Sequence, residues 1–343
     1  MSEPVEIVWF KRDLRITDHA PLLAASQSGA AILPLYIVEP DYWLQPFASK
    51  RHWYFIHDCL TDLNLSLTNI GQPLVIKIGE AAEVLRTLHL KHEISAVHTF
   101  EETGNRWTYD RDIAVRAMCS ENRLMLHEYP SNGVVRKLGS RDNWSAIRNA
   151  RMMQKILPRP SAITPLPTVI SDFLPSKDDP IFGSTPIGKV QKGGRNTAVA
   201  DLRSFLNHRS REYLYHISAP DLSEIHCSRL SAHLTWGTLS VREVAQSIAK
   251  RGSQLSPAEK KSFGRNLTAF SSRLAWRCHF IQKIEDQPDI ETHCMHPAFG
   301  GLRIDEHNEA YFQAWANGQT GYPFIDACMR NLTAEGWITF RMR

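Results

Sequence analysis

Short apolar runs alternate with helical patterns along the N-terminal part of the chain. β-branched and aromatic residues predict five strands, at positions 6–10, 31–38, 74–78, 96–100 and 125–129. Helical periodicity predicts helices at positions 21–28, 50–67, 81–91 and 107–122. Strands that alternate with helices are typical of a parallel sheet covered on both faces. We therefore predict a doubly wound, five-stranded α/β domain over residues 1–131.

The pattern changes in the second half of the chain. Between residues 132 and 195 the periodicity fades and prolines recur, at positions 158, 160, 165, 167, 175, 180 and 186. This composition predicts a long surface linker, solvated in its last part at 189–195. Beyond it, two capping-box patterns begin at Ser240 and Ser256, and we predict an all-helical domain over residues 196–343. Arg343 falls within a helical pattern that has no C-cap glycine, so we expect this domain to be truncated at its C-terminus.

Composition and charge narrow the class of protein. The chain has 343 residues and a net charge of +4, which permits nucleic-acid binding without requiring it. Its longest apolar stretch is too short to span a bilayer, and its start lacks a secretory signal, so we expect a cytoplasmic monomer. The six cysteines include no Cys-x-x-Cys pair. We therefore expect reduced thiols and no metal site, even where Cys294 lies between His293 and His296.

Charged residues follow the first predicted strand, from Lys11 to Asp18. Ligand sites in doubly wound sheets lie beyond the carboxyl ends of the strands, but this run lacks the glycine-rich turn of a dinucleotide site. It is either a ligand-facing loop or a salt-bridged turn that fixes the strand to its neighbours. The segment from Glu101 to Trp107 follows the fourth strand and is expected to form the rim of a pocket.

Hydroxyl and cationic side chains cluster between Cys227 and Gly237. Ser228 and Ser231 offer hydroxyls, Arg229 offers a cation, and a helix that begins here would offer free backbone amides. This combination suits a diphosphate group. The alternative is that serine at a helix start serves only as a cap.

A later helical segment carries Trp276 beside Arg277. An aromatic ring and a guanidinium suit a flipped nucleic-acid base, which must be stacked and held once it leaves the duplex. Alternatively, Trp276 and Phe280 lie four residues apart because both face the helical core. The chemistry of these residues leaves both interpretations open.

Three motifs, taken together, resemble those of the photolyase/cryptochrome family: VWFKRDLR at 8–15, CSRLSAHLTWG at 227–237 and TGYPFIDACMR at 320–330. The resemblance implies an antenna domain followed by a helical FAD-binding domain. It implies that the contacts to FAD are made by Tyr215, Cys227, Ser228, Arg229, Leu230, Ser231, Phe270, Arg277 and Arg343. It implies a DNA-facing group of Arg273, Trp276 and Arg341, and it assigns the catalytic cavity to Trp276 and Arg277.

The activity implied by the resemblance is blue-light-dependent electron transfer from reduced flavin to a pyrimidine lesion in DNA. A second antenna chromophore, of the folate or deazaflavin type, is implied as well. Two positions depart from the family pattern: Arg273 replaces a glutamate that contacts cyclobutane dimers, and Phe340 replaces an asparagine. Arginine can only donate hydrogen bonds, so the contact of the glutamate is lost. The alternatives are a cryptochrome-like photoreceptor without repair activity and a nucleotide-binding module without flavin.

Overall fold

A computed structural model describes residues 4–166, 168–183 and 188–343, so Pro167 and Pro186 of the predicted linker lie outside the described residues. The strands are β1 Val5–Phe10, β2 Ala31–Val38, β3 Val75–Ile78, β4 Ile94–Phe100, β5 Met125–Tyr129 and β6 Thr164–Pro165. Five strands form one parallel sheet in the order β3-β2-β1-β4-β5, and β6 pairs with β2. The doubly wound sheet is thus confirmed. The two-residue β6 was missed because its proline-rich segment shows no alternation.

Five helices accompany the sheet: α1 Ala20–Ser26, α2 Pro40–Trp43, α3 Lys50–Thr68, α4 Ala81–His92 and α5 Arg106–Glu121. Successive side chains of β1 point to opposite faces of the sheet. Val8 and Phe10 enter one core with α1 and α3, whereas Ile7 and Trp9 enter the other core with α4 and α5. Both faces of the sheet are therefore covered, as the periodicity predicts.

The second half is helical: α6 Trp144–Met153, α7 Arg195–Asn207, α8 Tyr213–His216, α9 Ser223–His226, α10 Ser231–Thr235, α11 Val241–Ser253, α12 Pro257–Asp286, α13 Glu309–Ala316 and α14 Pro323–Glu335. Both predicted capping boxes are present, at Ser240 before α11 and at Ser256 before α12. A third core joins α6, α7, α11 and α12. Each helix in the described parts of the chain is too short or too polar to cross a bilayer.

Three expectations for the linker and the C-terminal end differ from the structure. Helix α6 lies inside the predicted linker, because Trp144 and Met152 bury an apolar stripe in the helical core. In the run 189–195, expected to be solvated, Gly193 and Gly194 are buried. Helix α14 ends with Gly336 in the left-handed region, with φ of 64°, so a C-cap glycine does precede the last residues.

The two halves meet where the turn after β1 contacts the link between α10 and α11. The backbone N–H of Leu14 donates to the Trp236 carbonyl (3.0 Å). The Arg15 guanidinium donates to the Gly237 carbonyl (2.9 Å), and burial lowers the pKa of Arg15. The hydroxyl of Ser240 donates to the Asp18 carboxylate (2.5 Å). Two of the motifs that carry the family resemblance are therefore in direct contact.

Candidate functional site

The segment from Cys227 to Ser231 joins α9 to α10 through a tight bend. Arg229 adopts a left-handed backbone, with φ of 59°. The backbone N–H of Leu230 donates to Ser228 Oγ (3.3 Å), and the buried Leu230 side chain anchors the bend in the helical core. A helix does begin at Ser231, although it has only five residues.

The Arg229 guanidinium lies above the Trp337 ring, 4.4 Å from the ring centre. Its Nη1 is buried and has no hydrogen-bond partner in the part of the chain that the structure describes. Burial lowers the pKa of Arg229, and the nearby carboxylates of Glu224 and Glu335 oppose that shift. Because a buried donor without an acceptor is costly, an anionic ligand oxygen at Nη1 would be favourable.

A cavity of about 750 Å³ adjoins this bend and is lined in part by Ser231, Trp337 and Arg343. Helix α14 contributes an apolar wall, made of Phe324, Ile325, Cys328, Met329 and Leu332. The volume is within the range of small-molecule sites, and such sites combine apolar walls with a few polar groups. The cavity therefore suits a ligand that has an apolar part beside α14 and an anionic part beside Ser231 and Arg343.

The other predicted flavin contacts lie elsewhere. Tyr215 on α8 is 83% exposed, whereas Cys227 is buried. Phe270 is buried and packs edge to face against Phe205 and Tyr213, with ring centres 4.6 Å and 5.8 Å away. The predicted flavin contacts are thus divided between the cavity wall, the surface and the helical core.

An exposed aromatic cluster lies on α12 and on the turn after α14; we call Arg273, Trp276 and Phe340 the Trp276 cluster. Trp276 is 43% exposed, and the Phe340 ring meets it edge-on with centres 5.9 Å apart. The Arg273 guanidinium lies 4.2 Å from the centre of the Trp276 ring. Arg341 follows Phe340 and is exposed. An exposed ring flanked by a guanidinium is a surface on which a nucleic-acid base can stack.

Arg277 makes different contacts from its neighbour Trp276. Its guanidinium donates to Asn132 Oδ1 (3.1 Å) and to the Leu234 carbonyl (2.9 Å), and burial lowers its pKa. It lines a cavity of about 350 Å³ between the sheet and the helices, together with Glu101 and others. Adjacent residues on a helix do not face the same neighbour. Arg277 therefore ties α12 to α10 and to the segment after β5.

The carboxyl edge of the sheet carries a buried ion cluster. Arg111 contacts Glu102 (2.7 Å) and Glu39 (3.1 Å), and Lys11 contacts Asp112 (2.9 Å). These side chains leave a space of only about 40 Å³. Of the two interpretations of the run after β1, the salt-bridged turn applies at Lys11. The same run also lines cavities of about 420 Å³ and 350 Å³, so it faces space that a ligand can occupy as well.

Burial and nearby charges shift the pKa values of two carboxylates in this cluster in opposite directions. Burial raises the pKa of Glu39 to about 7, although Arg111 opposes the shift. Burial would also raise the pKa of Glu102, but the surrounding cations outweigh it and hold that pKa at about 2. Glu102 is therefore fully charged at neutral pH, whereas Glu39 is only partly charged.

Known proteins resemble this chain in both sequence and fold. The family model for DNA photolyase matches residues 6–145, and the model for the FAD binding domain of DNA photolyase matches residues 270–343. A deoxyribodipyrimidine photo-lyase from Streptomyces griseus is 27% identical, over 99% of this chain and 73% of that protein. The chain belongs to the photolyase/cryptochrome family.

Both branches of the photolyase/cryptochrome family are similar to this chain. A cryptochrome DASH from Gloeobacter violaceus is 26% identical, over 100% of this chain and 71% of that protein. The solved cryptochrome of Synechocystis has a TM-score of 0.82 at 20% identity, covering 99% of this chain and 73% of its own, and shows the shared fold alone. An archaeal photolyase from Sulfolobus tokodaii, solved with two FAD molecules, has a TM-score of 0.78 at 25% identity, with coverages of 99% and 73%.

The matched ranges of the family models do not include every predicted contact. The match to the FAD-binding domain begins at Phe270, so it includes the Trp276 cluster and Arg343. The segment from Cys227 to Ser231 lies outside both ranges. Its assignment to flavin stays a prediction that rests on its motif and on Arg229.

Two contact residues were missed by the sequence analysis. Trp337 stacks on Arg229, and Asn132 accepts a hydrogen bond from Arg277. Each lies far from its partner along the chain, and no local pattern connects the two members of either pair. Only the packing of the helices brings them together.

Proposed function

We propose that this protein binds FAD in its helical half and acts, under blue light, as a deoxyribodipyrimidine photolyase-like enzyme on pyrimidine lesions in DNA. The observation that carries the proposal is the Arg229 guanidinium, whose Nη1 is buried without a partner among the described residues. This guanidinium stacks on Trp337, and Trp337 lines the 750 Å³ cavity. The match to a FAD-binding domain supports it. Reduced FAD, when bound, supplies the light-excited electron that the lesion receives.

In this proposal the residues of the bend hold the anionic part of FAD. Arg229 donates from Nη1 to a phosphate oxygen, and the Ser231 hydroxyl donates a second hydrogen bond. Charge-assisted hydrogen bonds of this kind are stronger than neutral ones. Trp337 and the apolar side chains of α14 offer an apolar surface to the rest of the flavin.

The Trp276 cluster is proposed to hold the lesion. Trp276 stacks against an extruded pyrimidine, and Arg273 donates to a pyrimidine carbonyl. Arg341, on the same exposed turn as Phe340, contacts a DNA phosphate. A net charge of +4 favours this contact with an anionic partner.

A cryptochrome-like photoreceptor without repair activity is the second candidate, and a specific observation favours it. Arg273 lies over one face of Trp276, 4.2 Å from the ring centre, and the Phe340 ring packs at 81° to the Trp276 ring. A base that stacks on the face occupied by Arg273 must displace that guanidinium. Arg273 also offers no acceptor to a pyrimidine N–H.

A blue-light repair assay with FAD-loaded protein separates the two candidates. We expect conversion of DNA that contains cyclobutane dimers or (6-4) lesions in the light and none in the dark. Trp276→Ala should weaken lesion binding, whereas Tyr109→Ala, which removes a 49% exposed ring from the sheet half, should not. Flavin binding without turnover of either lesion would support the photoreceptor. If the protein takes up no flavin, the photolyase and the photoreceptor proposals are both contradicted. The nucleotide-binding module without flavin is then the remaining alternative.

We further propose that an antenna chromophore, if this protein uses one, occupies the 350 Å³ cavity between the two halves. Glu101 and Thr103, from the segment predicted to form a pocket rim, line this cavity. The space among the ions at the sheet edge, about 40 Å³, is too small for a folate or deazaflavin. A second absorption band from the purified protein that is lost on Glu101→Ala would support this location.

A further inference from the structure

Two histidines and a glutamate meet on the surface of the helical half, immediately before the bend at Cys227. Glu212 ends a short 3₁₀ helix, His216 ends α8 and His226 ends α9. The Nε2 atoms of His216 and His226 lie 3.4 Å and 3.5 Å from the same carboxylate oxygen, Oε2 of Glu212. The three ligand atoms all lie within 4.8 Å of one another.

These separations fit a bridging cation better than they fit hydrogen bonds. A charge-assisted N–H to carboxylate bond has an N to O distance of about 2.7 to 2.9 Å. Ligand atoms at the corners of a tetrahedron around Zn²⁺, with bonds of about 2.0 to 2.2 Å, lie about 3.3 to 3.6 Å apart. The two separations between Nε2 and Glu212 Oε2, 3.4 Å and 3.5 Å, fall within the second range.

The tautomer of His226 supports the same conclusion. Its Nδ1 lies 3.4 Å from the Arg209 carbonyl oxygen, which can only accept, so Nδ1 is the donor. In a neutral ring the Nε2 atom then carries a lone pair, and that lone pair faces the Glu212 carboxylate. A metal ion would bind His226 through this lone pair. A backbone carbonyl that accepts from the other ring nitrogen, and so orients the histidine, is a regular feature of metal sites.

The two imidazole rings lie against each other beside the single carboxylate. The ring centres of His216 and His226 are 4.3 Å apart, with 25° between the ring planes. Because the Nε2 lone pairs of stacked rings run nearly parallel, the two nitrogens bind one ion after one ring rotates about its side-chain bonds. Nearby cations are engaged elsewhere, because Arg209 donates to the carbonyls of Asp201 and Ser228 and Arg211 pairs with Glu259 (3.8 Å).

We propose that Glu212, His216 and His226 form a zinc site with three protein ligands and a fourth position open to water. Imidazole and carboxylate ligands suit Zn²⁺ rather than Mg²⁺ or Ca²⁺, which prefer oxygen ligands alone. Glu212 is 58% exposed and each histidine 20%, so the metal can enter from solvent. The sequence analysis expected no metal because it considered the spacing of cysteines, whereas these ligands come from three separate short helices.

The zinc site would join α8 to α9 at the entrance to the predicted flavin bend. His216 directly follows Tyr215, and His226 directly precedes Cys227. A bound metal therefore fixes the backbone directly after Tyr215 and directly before Cys227. The site itself does not depend on flavin, and its test needs none.

Metal binding to the full chain, stripped of metal with a chelator, tests this proposal. We expect one Zn²⁺ per chain in competition with a chromophoric chelator, and a visible absorption band typical of four-coordinate Co²⁺ when that ion is used. Glu212→Gln and His226→Gln should each weaken Zn²⁺ binding by at least about 10- to 100-fold, the loss seen when even an outer partner of a metal ligand is removed.

The matched control is His307→Gln. His307 also contacts a carboxylate, Glu309 at 3.1 Å, but belongs to no three-ligand cluster among the described residues, so its loss should leave the affinity unchanged. Far-UV circular dichroism shows whether the variants fold, and Glu212→Gln changes an exposed side chain that the fold tolerates. Equal Zn²⁺ affinity in wild type and both ligand variants would assign the metal to others of the 15 histidines and overturn the proposal. An absence of stoichiometric binding to the wild type would overturn it as well.

Discussion

The guanidinium of Arg229 is held mainly from one face, where Trp337 stacks against it at 4.4 Å, while Nη1 is buried without an acceptor among the described residues. A hydrogen-bond donor without an acceptor costs free energy in a low-dielectric environment. Burial is also the main cause of the lowered pKa of Arg229. An anionic group would therefore bind favourably at Nη1 of Arg229. A substitution of this residue tests the flavin proposal most directly.

Arg229→Ala should weaken FAD binding by about 1.5 to 3 kcal/mol, the value of a hydrogen bond to a charged group. This corresponds to roughly ten- to hundred-fold in Kd. Quenching of flavin fluorescence gives that constant. Arg203→Ala, which removes an exposed cation from α7, is the control and should leave Kd unchanged. A variant of Arg229 with lower stability but the same Kd would show that the side chain serves only to pack on Trp337.

Which side chains contact one another could be predicted only in part from the sequence. The motif resemblance predicted that Trp276 shares one group with Arg273 and another with Arg277, and the structure places Trp276 beside Arg273. Arg277 instead donates to Asn132 and to the Leu234 carbonyl. The direction of a side chain depends on which helices pack around it, and a motif states only the order of residues.

The link between α10 and α11 must approach the turn after β1 very closely. Gly237 has φ of 66°, and a Cβ atom there would lie 2.3 Å from the Arg12 carbonyl oxygen and 2.5 Å from Asp13 Cα. Both neighbours are backbone atoms, which cannot rotate away. A glycine is therefore required at this contact between the two halves.

Gly237→Ala should destabilise the protein by about 2 to 5 kcal/mol, because a left-handed backbone costs about 1 to 2 kcal/mol and overpacking about 1 to 3 kcal/mol. Unfolding in urea, followed by circular dichroism, measures the change. Gly252→Ala is the matched control, since Gly252 lies in α11 and a Cβ atom added there would meet no described atom within 4 Å. That variant should gain about 0.5 to 1 kcal/mol. Two variants of equal stability would contradict the close approach.

Most elements of regular structure could be predicted from periodicity alone. All five predicted strands exist, and the capping boxes before α11 and α12 are formed. Helix α6 and strand β6 were not predicted, because α6 depends on burial against distant helices and the two-residue β6 lies among prolines. For the same reason the cluster of Glu212, His216 and His226 could not be predicted, since it exists only where three short helices meet.

The buried ion cluster of the sheet half extends through Arg12 to an aromatic ring of the helical half. Arg12 contacts Glu102 at 2.9 Å, and its guanidinium lies 4.9 Å from the centre of the Trp236 ring in the helical half. The pKa of Glu102 is about 2 in the folded protein, against an ordinary value of 4.5. Its stabilising effect is therefore fully present above pH 4.5 and is lost as the pH falls from 4.5 towards 2.

Glu102→Gln should remove this acid-dependent stabilisation and leave the buried cations of Arg111 and Lys11 with less opposing charge. At neutral pH the variant should be less stable by about 3 to 5 kcal/mol, the cost of breaking a buried ion pair from one side. Between pH 4.5 and 2 the wild type should lose stability more steeply than the variant, so the two curves should converge. Urea unfolding over a series of pH values measures both effects, and Glu121→Gln, an exposed residue at the end of α5, should behave as the wild type. Parallel curves for Glu102→Gln and the wild type would mean that the cluster does not link the stability of the molecule to pH.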